Sequence, residues 1–208
     1  MSAIAAPRDR QGPKGEMTGP LLGMVLFVAS EAMFFGSLFA TYFYLFGSHP
    51  TWPPPAPAST PEYYVRWDGI PAINTVVLLS SGVTCHFALD ALAHDNRRRF
   101  FILQIITIVL GIGFELGQLI EFISAFDRGL TLTANTFASA FFTMTGFHGG
   151  HVLGGLILLI LILYRASRGQ FSSKNHVGPA AVTLYWHFVD IVWVFLFLIL
   201  YFGVTFGR

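Results

Sequence analysis

Within the run Tyr185-Trp186-His187-Phe188-Val189-Asp190, a histidine and an aspartate stand three residues apart in an otherwise apolar stretch. On a helix that spacing lays both side chains on one face, where the carboxylate can accept from the imidazole and fix its tautomer. Proton relays, the outer partners of metal ligands and plain structural locks all use this arrangement, and spacing alone does not separate them. Thr183 extends the stripe by a turn, while Trp186 and Trp193 recur seven residues apart on another face. An ionisable side chain at a helix centre adds about 2.5 to 3.5 kcal/mol to membrane insertion. Such groups therefore point toward protein or a polar cavity.

Two other apolar stretches carry polar stripes at steps of three and four. One holds Gln104, Thr107, Gly111, Glu115 and Gln118, with Glu121 beyond them; the other holds Thr145, His148 and His151. If these stretches are antiparallel neighbours that turn near residue 131 or 132, Glu115 comes level with His148 and Gln118 with Thr145. The spacing then predicts either a buried acid and base pair or a polar zipper that holds the helices together. Gly146, Gly150 and Gly154 form a small-residue ridge that would permit close backbone approach. Glu31 is different, because its helical neighbours Phe27, Val28, Phe34 and Phe35 offer no local partner. It reads as a proton-linked or lipid-contacting carboxyl, or as one half of a hydrogen bond between helices.

Redox and hydrolytic chemistry find little support. Cys85 is the single cysteine, which rules out the pair that a thiolate-bridged copper or iron–sulfur centre needs. His148 and His151 could share a metal on one face, but no histidine recurs within a helix at the longer interval of a two-haem membrane cytochrome. A phosphate loop and a nucleophile elbow are both missing. No catalytic, cofactor-binding or metal-binding residue is assigned on these grounds.

The elements that position these residues follow from composition. Of 208 residues, 54% are hydrophobic and 11% charged, and the mean hydropathy is +0.62, a balance that belongs in a bilayer. Five apolar spans, 19–46, 70–92, 100–126, 137–164 and 178–206, each reach the length of about 20 residues that a helix needs to cross hydrocarbon. Continuously apolar runs, without the alternation of barrel strands, make them helices. The predicted fold is an all-α bundle of five transmembrane helices over residues 19–208, preceded by a polar tail, 1–18, too hydrophilic for a signal-peptide core, with no cleavage expected. Lysine and arginine divide nine to three: Arg8, Arg10, Lys14, Arg97, Arg98, Arg99, Arg165, Arg168 and Lys174 against Arg66, Arg128 and Arg208. That split predicts a cytoplasmic N-terminus and a C-terminus outside. The loop with Trp52-Pro53-Pro54-Pro55, Pro57 and Pro61 should be stiff and extended, as a docking surface or as a spacer. A net charge of +1 recommends no nucleic-acid partner. An independent proton-coupled transporter would also need intramembrane acids, but the five spans show no inverted repeat or broken-helix pair.

Several segments, taken in order, also carry a family resemblance. They are Ser30-Glu31-Ala32-Met33-Phe34-Phe35, Trp52-Pro53-Pro54, Asn74-Thr75 with Leu79-Ser80-Ser81-Gly82, Gln118 with Glu121, Thr145-Gly146-Phe147-His148-Gly149-Gly150-His151-Val152, and Tyr185 to Trp193. With these, the chain resembles subunit III of the haem-copper cytochrome c oxidases over nearly all of residues 19–206. The resemblance implies an accessory membrane subunit, in its short five-helix bacterial form, in the bacterial plasma (inner) membrane. It implies direct packing on subunit I, with subunit II and other subunits nearby. Haem and copper would reside in those partners, and this chain would bind none and have no small-molecule substrate of its own. Its role would be to stabilise subunit I, retain structural phospholipid and support proton uptake. Longer members have two further N-terminal helices that form one arm of a lipid-holding cleft, so the cleft here should be shallower or closed by other subunits. Glu31 matches the family's buried cleft glutamate, and Arg165 matches a position suited to a lipid phosphate, or to ordinary snorkelling. Glu115 departs from the family's usual pattern. Cytochrome c is favoured as electron donor over quinol, and an accessory subunit of a nitric oxide reductase is a related alternative.

Overall fold

The computed structural model describes residues 19–55 and 69–202. The tail 1–18, Pro57, Pro61, Arg66 and Arg208 lie outside the described residues. Among the described residues there are five helices, α1 (Gly19–Ser48), α2 (Ile70–Ala93), α3 (Arg97–Asp127), α4 (Thr136–Ser167) and α5 (Val177–Leu196), the last continuing as a π-helical segment, Phe197–Phe202. All five are long and apolar enough to cross a membrane, and the chain is a multi-pass membrane protein. Among the described residues the only β-structure is an isolated bridge between Ser172 and Asn175.

Local chemistry sets the helix ends. Asp95, Gly129 and Gly169 take positive φ after α2, α3 and α4. At each, the residue beyond donates its N–H back across the last turn: Asn96 to Ala91 O at 2.8 Å, Leu130 to Ala125 O at 3.0 Å and Gln170 to Arg165 O at 3.2 Å. These are Schellman closures, which satisfy carbonyls that the helix leaves orphaned. Asn96 and Asn135 start α3 and α4 by accepting from Arg99 N at 3.1 Å and Ala138 N at 2.8 Å. Asp95, outside the spans, also accepts from Ser173 Oγ at 2.7 Å and Ser173 N at 3.2 Å, joining the α2–α3 turn to the α4–α5 turn. Those two bonds hold its carboxyl below the usual carboxylate range. Arg97 donates to Ala166 O at 2.8 Å, placing a cation on the carbonyl end of α4. Of the seven described lysines and arginines, six flank the end where α2 meets α3 and α4 meets α5, and Arg128 lies at the other end.

The bundle is organised around α5, which packs on α1, α2 and α4, while α2 packs most extensively on α3. In hydrocarbon, helices gain little from burying apolar area, so tight packing and interhelical hydrogen bonds must hold them together. Trp186 shows how. Its indole donates to Ser81 Oγ of α2 at 3.0 Å, and its ring lies where side chains on two other helices would have to be. A Cβ added at Gly111 of α3 would sit 3.0 Å from Trp186 Cη2, and one at Gly155 of α4 would sit 2.7 Å from Cε3 and Cζ3. One ring therefore joins four helices. Trp193 repeats the device seven residues on, donating to Thr75 Oγ1 of α2 at 2.9 Å. By contrast α1 is peripheral, with only Phe35 and Tyr42 fully buried.

Two expectations are refined here. The last span reads as one uninterrupted helix, but the backbone widens to π geometry from Phe197. The wider turn carries Tyr201 into the core, where its hydroxyl donates to Glu121 Oε2 at 3.0 Å. Of the proline loop, residues 51–55 are described, and Trp52 and Pro54 pack back on the bundle. Trp52 donates to Tyr42 OH at 3.0 Å and packs edge-on against Phe137 at the start of α4, while Asn135 donates to Pro54 O at 3.1 Å.

Candidate functional site

The clearest juxtaposition of titratable groups joins α1 to α4. Glu31 Oε2 stands 2.9 Å from His151 Nε2, and the side chains are 21% and 18% exposed. His151 Nδ1 lies 2.7 Å from Phe147 O. A carbonyl can only accept, so Nδ1 must carry a proton, which leaves one proton between Nε2 and the Glu31 carboxyl. Glu31 can be the acid donating to a neutral ring, or the carboxylate can face an imidazolium. Either way the pair is neutral overall, which makes its placement within an apolar span tolerable. Phe35 meets the His151 ring edge-on at 4.9 Å and Phe34 stacks at 6.2 Å. Tyr185 of α5 donates to His151 O at 3.0 Å, so three helices fix the site. The sequence left Glu31 without a partner because His151 is 120 residues away.

Toward the α1–α2 loop from this pair, α1 and α4 part around a cleft of about 540 Å³. Leu38, Tyr42 and Leu45 line it from α1, and Asn135, Ser139 and Met144 are among the residues facing them. Its mixed apolar and hydroxyl lining suits a chain-like amphiphile better than a charged metabolite.

His187 and Asp190 are brought together loosely, with Nδ1 and Oδ2 3.5 Å apart. The carboxylate lies against Gly82 of α2, where an added Cβ would overlap Asp190 Oδ2. Its Oδ1 is buried with no hydrogen-bond partner among the described residues. The Leu79-Ser80-Ser81-Gly82 segment thus acquires a physical reason, since Ser81 receives Trp186 and Gly82 leaves room for Asp190. Gly82→Ala should force α2 and α5 apart and lower the thermal stability of the purified chain, and Asp190→Ala in the same chain should restore part of the loss. An additive double variant in thermal unfolding would contradict this contact.

The predicted meeting of Glu115 and His148 does not occur. Their level is right, but their side chains face different ways. The Glu115 carboxyl lies over Gly149, whose added Cβ would be 3.7 Å from Oε2. His148 points inward, stacked on Trp193 at 5.1 Å and edge-on to Phe114 at 5.9 Å. Gln118 and Thr145 are likewise unbonded to each other: Thr145 donates within its own helix to Phe141 O at 2.6 Å, and neither end of the Gln118 amide has a hydrogen-bond partner among the described residues. The α3 stripe acts between helices elsewhere, through Gln104 to Leu159 O at 3.2 Å and Thr107 with Thr84 at 2.8 Å. Of the glycine ridge, Gly146 and Gly150 meet nothing within 4 Å and Gly154 only the Tyr185 hydroxyl; Gly155, one residue over, makes the close approach. Arg165 donates to Gln170 Oε1 at 2.8 Å and lies 5.1 Å from the Phe171 ring centroid. Sequence reasoning missed Tyr201 and Tyr185, whose hydroxyls reach the polar groups from α5 and its extension. Among the described residues no three histidine, cysteine, aspartate or glutamate side chains group closely enough to hold a metal ion.

Comparison with known proteins matches residues 13–205 to a family model described as cytochrome c oxidase subunit III. The chain is similar to cytochrome c oxidase subunit 3 of Thermostichus vulcanus, 38% identical over 201 residues that cover 96% of this chain and 93% of the relative. It is also similar to the proteins of that name from Synechocystis sp., at 35% with 97% and 83% covered, and from Aedes aegypti, at 40% with 86% and 67% covered.

Proposed function

Because the chain belongs to the cytochrome c oxidase subunit III family, and with it to a haem-copper oxidase complex, we propose that it is the accessory subunit of a proton-translocating oxidase that takes electrons from cytochrome c. In this reading it packs directly on subunit I, beside subunit II, in a bacterial plasma membrane. Haem and copper belong to those partners, and this chain binds neither. Its work is to keep subunit I intact through turnover, to hold structural phospholipid and to support proton uptake.

The Glu31–His151 pair carries the reading. A single proton between two groups of one neutral pair can shift from carboxyl to ring without changing net charge, so the helix contact survives either state. Fields from charge movement in subunit I bias which group holds the proton. The α1–α4 cleft supports lipid retention, because an acyl chain fits its apolar wall and a glycerol or headgroup oxygen can bond its hydroxyls. Arg165, exposed near the end of α4, supplies a cation for a lipid phosphate.

Glu31→Gln is the deciding substitution. The amide can donate to His151 Nε2, so the contact and assembly are retained, but no proton can shift. The expected result is an assembled oxidase with slower proton uptake or a shorter turnover lifetime, measured in steady-state oxygen consumption and proton-uptake traces. Unchanged uptake, lifetime and lipid content would retire the role.

A further inference from the structure

Between α3, α4 and α5 lies a second polar group that the proposed function does not use. His148 is fully buried and Gln118 is 4% exposed. Neither ring nitrogen of His148 and neither end of the Gln118 amide has a hydrogen-bond partner among the described residues. The surroundings are ordered by layers. Phe114 and Trp193 enclose the His148 ring, and Trp193 meets Phe114 edge-on at 4.7 Å. Gln118 follows Phe114 by one helical turn and precedes Glu121 by another, which puts the residue on that face of α3 between the aromatic layer and the Glu121–Tyr201 bond. Thr145 stands one turn from His148 in the same direction, its proton already given to Phe141 O and its lone pairs free to accept.

Buried polar groups in proteins are paired, and most severely so where hydrocarbon surrounds the bundle. The chemistry of these groups selects what pairs them. Gln118 offers two N–H donors and a carbonyl oxygen, and an uncharged imidazole offers one N–H and one lone pair. A metal ion would satisfy the lone pairs and repel the N–H groups; an anion would do the reverse. Only a small species that both donates and accepts serves all of them.

We propose that the α3–α4–α5 core is a water-binding site, with ordered water bridging His148 and Gln118. Such water makes two to four hydrogen bonds and is a fixed part of the fold. It would extend a hydrogen-bonded chain from His148 through Gln118 toward Glu121 and Tyr201, entirely inside the bundle. The proposal stands apart from the Glu31–His151 reading, since His148 points inward to Phe114 and Trp193 whereas His151 meets Glu31 of α1.

Radiolytic footprinting of the purified full chain, or of the complex that contains it, in ¹⁸O-water tests this. Activated internal water oxidises adjacent rings, so ¹⁸O should enter Phe114 and Trp193, although both are fully buried. His94, in the turn between α2 and α3 and with its side chain 75% exposed, reports bulk solvent in the same sample. In a Gln118→Met, His148→Phe double variant, label at Phe114 and Trp193 should fall several-fold while His94 is unchanged. Wild-type protein labelled at His94 but not at Phe114 or Trp193 would overturn the proposal, whatever the folding of the variant. So would a high-resolution map in which His148 and Gln118 bond each other directly with no density between them.

Discussion

Trp186→Ala is expected to abolish the folded bundle or leave it too unstable to purify. The indole fills space against α3 and α4 where Gly111 and Gly155 admit no side chain, and it donates to Ser81 on α2. Truncating a buried aromatic costs about 3 to 5 kcal/mol, a large share of the roughly 5 to 15 kcal/mol that holds a typical protein folded. Ser81 also loses its donor, although its hydroxyl keeps the bond to Leu78 O at 2.6 Å. The reciprocal change, Gly155→Leu, should be as damaging, because the indole is confined from the Gly111 side and cannot retreat. Trp186→Phe should be milder, since much of the ring volume remains. Yield and thermal unfolding of the purified variants check the order. A stable Trp186→Ala chain would mean that α5 is not the organising helix.

His151→Ala should be the more damaging member of a different pair of variants. It leaves the Glu31 carboxyl beside Phe34 and Phe35 with no side-chain partner, and stranding a partly buried acceptor costs about 1 to 3 kcal/mol. Removing both members, as Glu31→Leu with His151→Leu, restores an apolar contact and should recover most of that stability. The double variant should still lack the proton-linked role. A cycle of thermal unfolding on the two single variants and the double variant measures the coupling, and oxygen consumption by the assembled complex measures the function. Equal loss of stability and activity in all three variants would reduce the pair to a packing contact.

How far the sequence could be read depended on the kind of information each feature needs. Span positions follow from apolar length alone, and the helices begin and end within a few residues of expectation because Asn96, Asn135, Gly129 and Gly169 are capping residues in the right places. The choice of partner across the bundle does not follow from local pattern. Glu115 and His148 were placed at one level by counting from the turn, but an α-helix rotates about 100° per residue, so a single position separates His148, facing Trp193, from Gly149, facing Glu115. Glu31 found its base on α4 for the same reason, since no periodicity encodes which helix lies beside α1. The π-helical turn at Phe197–Phe202 was hidden because an unbroken apolar run looks alike in either geometry. Ser81 and Gly82 were recognised by resemblance and explained only by the ring and carboxylate that occupy them.

Affinity purification of the tagged chain from its own membranes tests the account most directly. The chain should bring with it a subunit that carries haem and copper, and the preparation should oxidise cytochrome c with oxygen, while the chain separated from that partner should be colourless. A chain that purifies alone, that shows a Soret band of its own, or whose gene can be deleted with no change in the oxidase's activity or turnover lifetime would contradict it.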